Sequence, residues 1–280
     1  RPKDTMAYVN IRERRLPFVV RYISDLFVYR HLAWNLVASD LRARFRRSKL
    51  GVLWAVIQPL AFSLTIALVW GSLFKSESYW DFAIYVFSGM IVWEYFASVA
   101  IVSQDALTNA EGYLKQTRVP FFIFQIRTPL TSMVIFLLGT AVLFVLLASL
   151  QKLPAFDEHL LVIPLFPAVL LLFGIPLGTI MSIAATQFRD IKYVSQILIQ
   201  AMFFISPVML GREILERPEL SFLNYANQMV PIINLFRGPI IDGEFWNKTE
   251  AITLLIWIAG LWVMAMVVAI RAGRRLVFAL

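Results

Sequence analysis

The densest chemistry in this sequence is cationic. Arg42, Arg44, Arg46, Arg47 and Lys49 fall within the eight residues "RARFRRSK". A guanidinium presents a planar fork of donors that matches phosphate oxygens, so the cluster suits a diphosphate or an anionic headgroup. Anchoring at the positively biased side of a membrane explains the same residues. The second chemical group is Glu94, a single carboxylate inside the apolar stretch "IVWEYF". A carboxylate in such a setting faces a cavity or a partner. Much other chemistry is missing. There is no Cys, and the two histidines, His31 and His159, are far apart. Thiolate nucleophiles, Cys metal sites and His clusters are therefore excluded. No GxxxxGK[ST] run is present, so the chain lacks that cradle for nucleotide phosphates.

The elements that position these groups follow from composition. The chain is 59% hydrophobic and 16% charged, where a soluble domain carries about 25% charged residues. Runs 50–74, 128–151, 160–188, 193–211 and 251–270 hold no charge, and 82–104 holds only Glu94. A helix of about 20 apolar residues crosses the hydrocarbon core. The expected fold is an all-α integral membrane protein with six transmembrane helices over 50–272. An N-terminal region, 1–49, and a short tail, 273–280, flank them. Glu94 costs about 2.5–3.5 kcal/mol at a helix centre. Ile, Val and Phe around it return about 0.3–0.6 kcal/mol each, so the span still inserts. The first 15 residues are polar and basic, so no cleavable signal is expected there. With six spans both termini share a side. That side collects 20 Lys and Arg against six on the other, which predicts cytoplasmic termini. Because these basic residues flank spans, membrane lipids rather than nucleic acid are the expected contact.

Three segments outside the spans carry patterns. Trp34, Val37, Leu41 and Phe45 recur at helical spacing, which predicts an amphipathic helix lying in the interface. Leu107, Ala110 and Leu114 do the same within about 104–118, ahead of the stop at Pro120. This short helix is either a solvated linker or a docking knob. Residues 211–249 are too polar for a span, with Asn224, Asn227, Gln228 and Pro231 interrupting them. Short re-entrant helices at the outer face are expected there.

Four segments in order, "LRARFRRSKLGVLWAVIQPL", "NAEGYLKQTRVPFFIFQIRTPL", "FRDIKYVSQILIQAMFFISPVML" and "NQMVPIINLFRGPIIDG", extend the pattern. Together they resemble the membrane subunit of ABC-2 type exporters, above all the polysaccharide-export branch of O-antigen, capsule and teichoic-acid permeases. Gln228 stands where that family usually has Pro. The resemblance implies a non-enzymatic permease of the bacterial inner membrane, working as two copies with two copies of a separate ATPase. ATP and Mg would sit on that partner, and this chain would carry no cofactor. It implies further that Asn109, Leu114 and Lys115 dock the ATPase on a coupling helix, with Arg189 and Asp190 as a second contact. Arg42, Arg44, Arg46, Arg47 and Lys49 would meet the lipid-diphosphate of the substrate. Asn227, Pro231 and Arg237 would belong to the outer gate.

A polysaccharide carries many hydroxyls, and each one left unpaired in hydrocarbon costs several kcal/mol. It needs a lined tunnel, expected at the homodimer interface. Aromatic rings offer sugars a flat apolar face. Trp54, Phe62, Trp93, Tyr95 and Phe96, with Glu94 among them, are the expected lining; ordinary interface belts would use the same residue types. Two other readings stay open. One is an ABC-2 permease for capsule, teichoic acid, a drug or a lipid. The other is a membrane-embedded enzyme acting on lipid-linked sugars, which would need a cytoplasmic carboxylate cluster that the sequence does not display.

Overall fold

Hydrocarbon offers a backbone N–H or C=O no water to pair with, so each apolar run must close its own hydrogen bonds as a helix. In the computed structural model, residues 28–46, 48–73, 78–116, 119–154, 158–211 and 217–272 are described. Their regular structure is all helical, with no strand among them. We label the α-helices α1 (Arg30–Arg44), α2 (Trp54–Leu73), α3 (Tyr79–Val102), α4 (Glu111–Gln116), α5 (Phe122–Ser149), α6 (Phe166–Gln187), α7 (Ile191–Phe204), α8 (Leu223–Ala226), α9 (Met229–Arg237) and α10 (Lys248–Ala272). Residues 1–27, Arg47 and 273–280 lie outside the described residues, as do the side chains of Leu114 and Lys115.

Among the described residues, five stretches are long and apolar enough to cross a membrane: Gly51–Trp70, Tyr79–Asp105, Phe122–Ser149, Glu158–Gln187 and Lys248–Arg271. The remaining uncharged run forms α7, which has only 14 residues. At 1.5 Å per residue it reaches about 21 Å, short of the roughly 30 Å hydrocarbon layer. Its helix ends before Ser206–Pro207, where turns carry the chain on.

The bundle is built around α3, whose N-cap Ser78 accepts from the Asp81 N–H at 3.3 Å. Val86, Phe87, Val92 and Val99 of this helix are fully buried. Glycines let neighbours approach it closely: Gly139 of α5 lies against Ile91, and Gly174 of α6 lies against Tyr95. Phe136, Phe166 and Phe236 form a ring cluster with centroids 5.1–5.9 Å apart, joining α5, α6 and α9. Ion pairs close both ends, Asp81 with Lys152 and Asp105 with Lys192.

Two elements differ in detail from the spacing. In α1 the buried residues are Ala33 and Val37, and Trp34 is exposed. The inward face is turned because α1 packs its Ala33 edge on Phe122, Ile123 and Ile126 of α5. The segment expected as one helix over 104–118 is a 3-10 turn, Ser103–Asp105, then turns, then the six-residue α4. Leu107 and Ala110 are fully buried, and Leu107 packs with Ile183 and Ala269. Leu107 and Ala110 are thus consumed within the protein, while Thr108, Asn109 and Gly112 are exposed.

Pro176 inside α6 has no N–H, so the Leu172 carbonyl four residues earlier loses its helical donor. Trp262 of α10 supplies the donor, its Nε1 reaching that oxygen at 2.9 Å. Trp262→Phe is expected to destabilise the fold by about 1 kcal/mol in reversible detergent unfolding. In a Pro176→Ala background the backbone N–H returns, and the same substitution should cost roughly half as much or less.

Candidate functional site

At the α1 end, a cleft of about 460 Å3 opens between α1, α3 and α5. Its walls carry Asp40 and Arg44 of α1, Ser98 of α3, Asn109, and Arg127 and Ser132 of α5. Arg127 donates through Nε and Nη2 to both oxygens of Asp40, a bidentate pair only partly exposed. Such a fork fixes orientation as well as charge. Ser132 Oγ donates to Ser98 Oγ at 2.9 Å. A smaller recess of about 40 Å3 shares Arg44, Ser98 and Ser132 with the cleft and continues to Gln58 and Glu94. Arg44 and Glu94 both line it, a cation and a carboxylate in one recess. Of the cationic cluster, Arg44 alone lines these cavities among the described members; Arg42, Arg46 and Lys49 are exposed, as is Arg44 itself.

The two segments singled out as partner contacts are brought together. Lys192, just after the exposed turn at Arg189–Asp190, pairs with Asp105. Gln104 Nε2 donates to Ser195 Oγ at 2.6 Å and to the Ala100 carbonyl at 2.8 Å. The 103–116 segment and the start of α7 are therefore tied to each other, with Asn109 exposed beside them.

The aromatic residues divide. Trp54 and Phe62 lie on the open face of α2. Trp93, Tyr95 and Phe96 are 2–6% exposed and belong to the interior of the protomer. Trp93 packs on Phe96 and edge-on to Phe203, at 5.3 and 5.4 Å. The Tyr95 hydroxyl donates to the Leu170 carbonyl at 2.9 Å. Neighbouring helices cover most of these rings, and Tyr95 borders the recess it shares with Glu94. Glu94 is half-buried in the recess described above.

The open face belongs instead to α7. Only Ser195 and Ile199 of this helix are buried. Tyr193, Gln196, Gln200 and Phe204 are exposed and follow helical spacing along one stripe. Two amides four residues apart were readable in "YVSQILIQAMFF"; their exposure was not.

At the far end, Arg237 is 3% exposed and wholly engaged. Its Nε donates to Ser88 Oγ at 3.0 Å, and its Nη2 donates to the Tyr85 and Val208 carbonyls at 2.7 and 2.9 Å. Nη1 donates to the Pro207 carbonyl, and the guanidinium stacks on Tyr85 at 3.7 Å. A Cβ at Gly89 would collide with it. Asn227 bridges the same region, donating to the Ile205 carbonyl and to Ser206 Oγ while accepting from the Met229 N–H. Pro231 is buried within α9. These residues clamp α9 onto α3 and onto the turn after α7. Among the described residues, no three His, Asp or Glu side chains converge where a metal would sit.

Comparison with known proteins follows the same layout. The family model described as ABC-2 type transporter matches residues 31–241. A Myxococcus xanthus protein named O-antigen export system permease protein RfbA is 24% identical over 248 residues, covering 86% of this chain and 94% of that protein. A Klebsiella pneumoniae protein of the same name is 22% identical over 250 residues, with 88% and 93% covered. The polysialic acid transport protein KpsM of Escherichia coli is 24% identical over 234 residues, with 81% and 89% covered.

Arg237→Met removes a guanidinium that four acceptors and a ring depend on. It should lower unfolding stability by about 3 kcal/mol or more, because buried carbonyls lose their donor. Arg237→Lys should recover less than half of that, since an ammonium lacks the planar fork. Thermal unfolding in detergent reads both.

Proposed function

The chain belongs to the ABC-2 type transporter family, and from that premise we propose that it is the permease subunit of an ABC exporter for a lipid-linked surface polysaccharide of the O-antigen kind. In this reading two copies enclose a tunnel across the bacterial inner membrane, with both termini cytoplasmic. Two copies of a separate ATPase, holding ATP and Mg, drive transport. The sixth crossing is α7 together with the turn over 205–210, and α8 and α9 form the outer gate. The relatives' names, O-antigen export and polysialic acid transport, support the cargo class.

The observation that carries the proposal is the exposed stripe of α7. Gln196 and Gln200 turn amides outward from a helix embedded in an apolar bundle. Lipid leaves such groups unpaired at a cost of several kcal/mol. A hydrated polymer passing the same face pairs them, because an amide both donates and accepts. Tyr193 and Phe204 on the stripe, and Trp54 and Phe62 on α2, add ring surfaces for sugars. The tunnel lining in this account is therefore α2 and α7, while Trp93, Tyr95 and Phe96 form the wall behind it. The ATPase meets Asn109, Leu114 and Lys115 on one segment and Arg189 and Asp190 on the other. The Lys192–Asp105 pair makes these two contacts move together.

Reconstituted with its ATPase in proteoliposomes, the wild-type chain should export polymer on ATP addition. The double substitution Gln196→Leu, Gln200→Leu should lower export at least tenfold (about 1.4 kcal/mol in the barrier) while the complex still assembles. Unchanged export in that variant would remove α7 from the path.

A further inference from the structure

Little holds α7 to its own protomer. Of its 14 residues only Ser195 and Ile199 are buried, and Ser195 is the nearer to the helix start at Ile191. Its Oγ accepts a hydrogen bond from Gln104 Nε2 at 2.6 Å, and the two side chains are only 6% and 2% exposed. A buried amide demands a partner, where an apolar side chain of the same size would not. Gln104 sits in the 3-10 turn Ser103–Asp105, between α3 and the segment that leads to α4. We propose that Gln104 is a positioning residue of the export path, setting α7 according to where the 106–116 segment stands. This role rests on the reading of α7 as the tunnel lining.

The bond is built to cross between elements. Gln104 has two amide N–H donors. One returns to the Ala100 carbonyl of α3 at 2.8 Å, and the other reaches α7. Ser195 Oγ in turn donates to the Lys192 carbonyl at 3.1 Å, so the chain of bonds runs from the backbone of one helix to that of another. The turn itself is a weak point. A 3-10 turn makes poorer backbone hydrogen bonds than the α-helix before it. Ser103 Oγ, fully buried there, has no hydrogen-bond partner, which is costly. A Cβ on Gly178 of α6 would lie 2.8 Å from that oxygen, so a glycine is what lets α6 meet the turn this closely. Such a joint yields before the helices on either side of it. Beyond it Leu107 and Ala110 are fully buried, so a displacement of the segment is carried into the bundle. The neighbouring Lys192–Asp105 pair is partly exposed and screened by water and salt, which leaves the buried amide to specify the geometry.

The test uses the complex with its ATPase in proteoliposomes, the chain carrying Ile197→Cys on the exposed side of α7. Labelling by a water-soluble thiol reagent is compared with and without ATP. Polymer exported per ATP hydrolysed is measured on the same preparation. In this parent chain ATP should change the labelling rate severalfold. Adding Ser195→Ala removes only the crossing bond, because Gln104 keeps the Ala100 carbonyl. The ATP-dependent change and the export per ATP should each fall about fivefold or more, while ATP hydrolysis continues. Gln104→Leu should do the same, and the two substitutions together should do no more than either alone, since all delete one interaction. Ser103→Ala, beside the bond but not in it, should leave both readouts at the parent level. Damage to the fold would lower assembly and hydrolysis as well. An ATP-dependent labelling change that persists in Ser195→Ala, or is missing from the parent, overturns the role of Gln104. Undiminished export per ATP in Ser195→Ala also overturns it and leaves the exporter reading standing. A labelling change that Ser195→Ala abolishes, in a parent that exports no polymer, supports the tie and removes the exporter reading alone.

Discussion

Hydrocarbon supplies no hydrogen-bond partner, and most of this structure follows from that one constraint. Hydroxyls in the helices turn back on their own backbone: Ser63 to the Pro59 carbonyl, Thr140 to Phe136 and Thr179 to Ile175, at 2.7–2.9 Å. The carbonyl freed by Pro176 takes its donor from a different helix, through Trp262. Arg237, a buried cation, has carbonyls, a hydroxyl and a ring arrayed around it. The last two solutions also join elements distant in sequence. Satisfying polar groups and assembling the bundle are here one process.

The same rule sorts the exposed surface by what hydrocarbon accepts. α10 exposes Ile252, Leu255, Ile256, Val263 and Ile270, which hydrocarbon accepts at no cost. α7 exposes Gln196 and Gln200, which it does not accept. At the α1 end the departure takes another form, charged side chains around a cleft. The packing rule is broken at two places, along α7 and beneath α1. The clamp at Arg237 and the ties at Lys192 and Gln104 hold the two ends of α7 to the rest of the bundle.

Much of this was legible in the residue order. Length and lack of charge marked the apolar runs, and the four ordered segments pointed to the family. Orientation within each helix was harder to read. Trp93, Tyr95 and Phe96 stand beside Glu94, but adjacent helical residues point in different directions, and all three rings turn inward. Trp34 has the right spacing for the buried side of α1, yet the smaller Ala33 makes the close contact with α5. Leu107 and Ala110 read as one face of a solvated linker or of a docking knob, and long-range packing instead buries both. The pairs Asp40–Arg127 and Asp105–Lys192, each 87 residues apart, follow no local pattern. Nor do the partners of Arg237 on α3, some 150 residues away. The run 193–211 looked long enough to span because it lacks charge; the stop before Ser206–Pro207 shortens its helix to 14 residues.

Because the chain has no Cys, single cysteines report cleanly on their surroundings. The most direct measurement places one at position 200 on α7 and another at position 256 on α10. Each variant is then assembled with the ATPase and exposed to a membrane-impermeant, water-soluble thiol reagent. A water-filled path along α7 predicts rapid labelling at 200 and none at 256. Protection at 200 in every nucleotide state, matching that at 256, would place α7 against lipid or protein and contradict the path.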